Sequence, residues 1–245
     1  MSTPAPGMDM PGRKTDRFNE ASPQDVLRMA YDTYPDVRIV ASFQAESCVI
    51  IDMATKLRGN VHVLTLDTGR LPKATFDIID RVRERYDITL DVISPDADET
   101  RQMVAEHGIN LFYDSIEKRN RCCEVRKTRP LEKALRGRSA WITGLRRDQA
   151  KTRAETPYVT SDPLHGGIWK FAPLARWSRR DVWDYIREND VPYNDLYDRG
   201  YTSIGCEPCT RATKPGEDER AGRWWWEDSD IKECSIHWPV KRPQR

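Results

Sequence analysis

Apolar and polar positions run along this chain in short blocks whose periods predict strands and helices in alternation. Val37-Arg38-Ile39-Val40-Ala41 reads as a strand, Ser42 to Ser47 as a turn, and Cys48 to Leu57 as a helix. Val61 to Leu66 is a second strand, ending in Asp67-Thr68-Gly69-Arg70. Pro72 opens a helix to about Tyr86, with Phe76, Ile79, Val82 and Tyr86 at helical spacing. Thr89 to Ile93 and Ser139 to Thr143 are the third and fourth strands. Ser22-Pro23 starts a helix ahead of this series, with Ser22 as its N-cap. Ser178 caps another, through Asp181, Trp183 and Ile186, and after Pro192 the chain reads as loop.

Strand–helix alternation predicts an α/β fold: a parallel twisted sheet with helices on both faces. Ligands of such sheets bind beyond the carboxyl ends of the strands. The loops at 42–47, 67–70 and 144–153 are three such ends, so they are expected to converge on one site. Residues 1–20 are rich in Pro, Gly and Met and are expected to be disordered. From about residue 210 the chain is charged and Trp-rich, and little of it is expected to form core.

Composition narrows the functional classes. Charged residues make up 32% of the 245 positions, yet 40 basic and 39 acidic side chains leave a net charge of only +1. That balance argues against a general nucleic-acid binder, while leaving room for a local basic pocket for a small anion. No apolar run reaches a membrane span, and the start has no apolar segment of a secretory signal, so a cytoplasmic location is expected. In a reducing compartment, the six cysteines read as metal-binding or catalytic rather than as disulfides.

The cysteines fall into groups. Cys122-Cys123 and Cys206-Glu207-Pro208-Cys209 together offer four thiolates, enough for zinc or for a [4Fe–4S] cluster. Adjacent cysteines suit the separated corners of a cubane better than the tight shell of a single ion; a buried apolar pair is the remaining reading. The pair lies in a run from Lys118 to Lys127 holding five basic residues, which either offsets a negative cluster and attracts an anion or forms a solvated helix face. Cys234, three residues before His237, is a candidate nucleophile, with a second metal site or an unused thiol as the other readings, and Arg220 and Arg223 upstream suit an anion. Ser42 to Ser47, between strand and helix, suits phosphate but lacks the glycine and lysine signatures of nucleotide loops. Trp224-Trp225-Trp226 reads as a base-stacking or tail-docking surface, Cys48 as core packing, and His62 and His107 as structural or surface residues.

Taken together, SFQAES at 42–47, LDTGR at 66–70, RCCEVRK at 121–127, TGLRRDQ at 143–149, CEPC at 206–209, RWWWE at 223–227 and ECSIH at 233–237 resemble the assimilatory adenylyl-sulfate reductases of the iron–sulfur type. Through them they resemble the related phosphoadenylyl-sulfate reductases. The resemblance spans about residues 37 to 238 and implies a fold like that of the ATP pyrophosphatases. It implies a [4Fe–4S] cluster on Cys122, Cys123, Cys206 and Cys209. Adenosine would lie along Ser42, Phe43, Gln44, Leu66, Asp67, Thr68, Gly69 and Gly144. The phosphosulfate would lie under Lys127, Arg220, Arg223 and one or both of Arg146 and Arg153. Cys234 would attack sulfur, with His237 beside it, leaving a cysteine S-sulfonate that thioredoxin reduces to sulfite, as sulfate assimilation and cysteine biosynthesis require. Residues 21–209 would form the nucleotide domain and 210–245 a mobile catalytic tail.

The tail departs from the family's Glu-Cys-Gly-Leu-His, with Ser235 and Ile236 where glycine and leucine usually stand. A reductase of the 3′-phosphorylated substrate is the near alternative. A zinc-dependent nucleic-acid module and an ATP-consuming ligase are the remote ones. Oligomeric state, a homo-oligomer included, is left open.

Overall fold

The computed structural model describes residues 21–227, 232–233 and 236–237. Six strands form one sheet in the order β3-β2-β1-β4-β6-β5, where β1 is Arg38–Val40, β2 Val61–Leu66, β3 Ile88–Ile93, β4 Ala140–Ile142, β5 Val159–Asp162 and β6 Ile168–Phe171. All neighbours are parallel except β5, which returns antiparallel to β6 at the edge. The sheet grows outward in both directions from β1 and β4, with Ile39 opposite Val63 on one side and Ile142 on the other. Such a reversal of strand order opens a crevice at the carboxyl ends, which is where a ligand fits.

The helices are α1 (Pro23–Thr33), α2 (Ala45–Arg58), α3 (Lys73–Arg85), α4 (Ala97–His107), α5 (Ile116–Cys123), α6 (Arg129–Leu135) and α7 (Arg179–Asn189). Ser22 caps α1 and Ser178 caps α7, each in a reciprocal box with an aspartate three residues on. α2 is the buried helix: Cys48, Val49, Ile50, Ile51 and Met53 are all within the main core. Full burial pushes the Cys48 thiol up to about 12, which suits packing and not nucleophilic chemistry.

Three sequence expectations need correction. α2 begins at Ala45, not Cys48, because Phe43 turns the chain at φ +53° and Gln44 is already the extended cap residue. Glu46 and Ser47 are therefore helical. The buried stripe of α3 runs through Thr75, Ile78, Ile79 and Val82, while Phe76 is 41% exposed. The chain beyond residue 210 contributes core as well: Trp224 is buried, its backbone N–H donates to the Cys209 carbonyl at 3.1 Å, and Thr210 bridges Arg223. Arg119 and Arg223 each lie over the Trp224 ring system, at 4.4 and 4.9 Å, which is how a charged segment packs an aromatic inside.

Candidate active site

A cavity of about 170 Å³ opens at the carboxyl ends of β1, β2 and β4. The three loops expected to converge do so: Ser42 and Gln44 follow β1, Leu66 ends β2 and Thr68 follows it, and Gly144 follows β4. Gln44 spans the gap, its amide donating to Ser42 Oγ while its Oε1 accepts from the Ile204 N–H at 2.7 Å. Gly144 has to be glycine, since a Cβ there would stand 2.9 Å from the Glu46 Cβ at the start of α2.

Phe43, Asp67, Gly69 and Arg146 do not line this cavity. Phe43 is fully buried in the main core. Asp67 accepts the Gly69 N–H at 2.8 Å and so shapes the turn at φ +68°. Arg146 is 1% exposed and donates to Glu46, Asp148 and Glu219, while Glu46 and Glu219 themselves line the cavity. Burial, opposed by Arg146 and reinforced by Glu46, pushes the Glu219 carboxyl up to about 7. These carboxylates were not legible in the sequence, because nothing local marks them as partners of a residue 100 or 73 positions away.

The cavity lining also carries basic side chains. Lys127, Arg153, Arg220 and Arg223 all line the cavity. Arg223 is held by Ser203 Oγ and the Ile204 carbonyl, and its guanidinium passes so close to Gly205 that a Cβ there would overlap it. Arg153 and Arg220 reach the tail: Arg153 makes paired bonds of 2.7 and 2.6 Å to the Glu233 carboxylate, and Arg220 lies 3.6 Å from it. Burial would raise Glu233, but Arg153, Arg220 and the Thr152 hydroxyl hold it below the usual carboxylate range. Ile236 and His237 line the cavity too. Cys234 lies outside the described residues.

Beside this cavity is a second, smaller one lined by Cys122, Cys123, Cys206 and Cys209 together with Phe112, Arg70 and Trp224. Cys122 and Cys123 end α5, just before a π-helical turn at Glu124–Thr128, and Cys206 caps a single 3-10 turn, Glu207–Cys209, that ends in Cys209. Burial pushes Cys209 up to about 11 and raises Cys122. Cys206 goes the other way: against the cost of burial, Lys127, the Thr68 hydroxyl at 3.3 Å and Arg223 favour its thiolate. Among the described residues no three His, Cys, Asp or Glu side chains close tightly enough on one point to hold a single ion. Four thiols around one apolar space, with cations adjoining, fit instead a larger thiolate-bound group.

The basic run is thus not a solvated face throughout. Arg119 is 3% exposed and clamps Glu227 through both oxygens, and Arg126 donates to the Thr68 carbonyl at 2.8 Å. Lys127 faces both cavities. His62 is half-buried on β2 and His107 is exposed at the end of α4.

A family model described as the phosphoadenosine phosphosulfate reductase domain matches residues 36–212, and the chain belongs to that family. Within it, the chain is 47% identical over 212 residues to an adenosine 5′-phosphosulfate reductase of Burkholderia cepacia, covering 86% of this chain and 84% of that one. The crystal structure of a phosphoadenylyl-sulfate reductase from Candida auris, as a phosphate complex, superposes with a TM-score of 0.71 at 31% identity, over 84% of this chain and all of that one. A flavin mononucleotide adenylyltransferase of Candida glabrata shares the fold alone, at a TM-score of 0.56 and 14% identity over 93% and 76% of the two chains. No described helix is long and apolar enough to cross a membrane.

Proposed function

We propose that this protein reduces adenylyl sulfate to sulfite and AMP in sulfate assimilation, with Cys234 as nucleophile and thioredoxin as reductant in the cytoplasm. The observation that carries this reading is the convergence of Lys127, Arg153, Arg220 and Arg223 with tail residues Ile236 and His237 on one cavity at the strand ends. A thiolate approaching a phosphosulfate is an anion approaching an anion, and four cations offset that repulsion.

The Cys234 thiolate attacks the sulfur; the S–O bond to the phosphate breaks and its electron pair leaves on AMP. The product is a cysteine S-sulfonate. One thiolate of the reduced thioredoxin dithiol then attacks the Cys234 sulfur, expelling sulfite with the S–S electron pair. The second thioredoxin thiol resolves the mixed disulfide, freeing Cys234 and leaving oxidised thioredoxin. Two electrons from the dithiol account for the reduction of sulfur. Arg220 and Arg223 neutralise the phosphate of the departing AMP, while Ser42, Gln44, Leu66 and Gly144 form the nucleoside wall.

Cys122, Cys123, Cys206 and Cys209 would hold a [4Fe–4S] cluster. Bound there, it would supply a fixed, buried charge distribution beside the substrate cavity. Lys127, which favours the Cys206 thiolate and also lines the substrate cavity, couples the two.

The preference for adenylyl sulfate over its 3′-phosphorylated form is supported by the 47% identity to a protein named adenosine 5′-phosphosulfate reductase. The test is a thioredoxin-coupled sulfite assay with both nucleotides in competition, on iron-replete protein. Dominance of the 3′-phosphorylated substrate would overturn the preference. Sulfite release by Cys234→Ser would overturn the mechanism.

A further inference from the structure

The tail residue His237 has an unexpected seat. Its ring stacks on the indole of Trp141, with centroids 5.6 Å apart and planes 4° from parallel. Trp141 belongs to β4, is fully buried, and is fixed by a hydrogen bond from its Nε1 to Asp162 Oδ2 at 3.1 Å. The same carboxylate takes His165 Nδ1 at 2.9 Å and lies 3.5 Å from Lys170 Nζ. The Lys170 ammonium already lies over the Trp141 ring, 5.7 Å from its centroid. Next to His237, Ile236 packs on the apolar cluster of Leu64, Leu131, Leu135 and Trp141.

We propose that Trp141, oriented by Asp162 and Lys170, is the receptacle for the tail imidazole, a positioning site that holds the tail over the cavity while His237 is neutral and releases it when the ring is protonated. Asp162 sits on the edge strand β5 and Lys170 on β6, so this hairpin builds the seat. Along with Glu233 on Arg153, it fixes the tail on both sides of residues 234–235.

The charge around the ring sets the direction. Burial comes first, and then Arg153, Lys170 and His165 outweigh Asp162, so the docked imidazole is held well below its ordinary value. Its Nδ1 has no hydrogen-bond partner among the described residues, so a proton there would be buried without an acceptor. A group depressed on docking stabilises the docked state above its free value of about 6.5 and loses that contribution as the pH falls below it. Between pH 8 and pH 6 the undocked fraction should therefore rise about fourfold.

The inference rests on the reading that the tail carries the nucleophile, and the experiment separates the two. Hydrogen-exchange protection of the peptide 232–237, corrected for intrinsic rates, is measured on the full chain at pH 8 and pH 6. Alongside it, accumulation of the S-sulfonate is followed without thioredoxin. Trp141→Leu should lower tail protection about 2- to 10-fold at pH 8 and slow S-sulfonate formation equally, with AMP affinity unchanged. Thioredoxin-driven release of sulfite from preformed S-sulfonate should not slow.

Trp141→Phe, which keeps a ring, should retain most of the protection. His237→Phe should keep protection and abolish its pH dependence. Where Trp141→Leu has lost its melting transition, His237→Ala reads the same equilibrium from the tail side without disturbing the core. Unchanged tail protection in folded Trp141→Leu, or in His237→Ala, overturns the latch. A pH dependence that persists in His237→Phe overturns its proton control. Absence of any S-sulfonate in the unmodified protein overturns the function instead, and leaves the exchange result to stand on its own.

Discussion

Replacing Arg146 with methionine removes the guanidinium that pairs with a buried carboxylate cluster. Its guanidinium is 1% exposed and serves Glu46 at 2.9 Å and Glu219 at 2.9 and 3.1 Å, with Asp148 as a third partner. Methionine has the length to fill the space but leaves Glu46 and Glu219 without the guanidinium that bonds to both. Breaking a buried pair from one side costs about 3–5 kcal/mol, which for a chain of this size lowers the melting temperature by roughly 6–20 °C.

The pH dependence is specific. The folded state already lifts Glu219 to about 7, above its ordinary value of 4.5, so its charge weakens the fold at alkaline pH and protonation relieves it. Without Arg146, which opposes the effect of burial, Glu219 rises further. The stability gap between Arg146→Met and the unmodified protein should accordingly be widest near pH 8.5 and narrow steadily towards pH 5.5. Circular-dichroism melts at three pH values across this range measure it. A gap independent of pH, or a loss under about 1 kcal/mol, would refute the view of Arg146 as counter-ion to these two carboxylates.

Other perturbations probe the remaining parts. Gly144→Ala should weaken AMP binding by an order of magnitude and cost about 1–3 kcal/mol, because its methyl meets the Glu46 Cβ; calorimetry and melting read both, and unchanged affinity would count against the tight strand-end packing. Cys206→Ala should abolish the brown visible absorbance and the iron and sulfide content of the purified chain, whereas a colourless unmodified protein with one zinc would dismiss the cluster assignment. Arg119→Met should destabilise by about 3–5 kcal/mol through the stranded Glu227, with loss of Trp224 burial visible in fluorescence; a neutral effect would show the clamp to be dispensable.

Much of the fold was legible in the chain because it is written in local periods. β2 falls where its apolar block ends, and the Ser22 and Ser178 caps fall where an acidic partner follows three residues later. The β5–β6 hairpin escaped notice: Val159–Asp162 is a short, mostly polar edge strand with no clear two-residue alternation. The start of α2 was misplaced because a polar Gln-Ala-Glu-Ser stretch looks like loop until Phe43 turns the backbone ahead of it.

The sequence by itself determined the strand–helix order as far as β3, the three strand-end loops and the pairing of the cysteines along the chain, because each depends on neighbours within a few residues. Only the tertiary structure decided which cations face the cavity. Arg153, Arg220 and Arg223 line it, while Arg146, equally basic in sequence, is turned away into a cage of carboxylates from α2 and the segment near residue 219. The same holds for His237, whose seat on Trp141 joins the tail to a strand nearly a hundred residues earlier. Strand order sets those encounters, and side-chain charge is then placed by whichever buried partner removes the cost of taking it out of water.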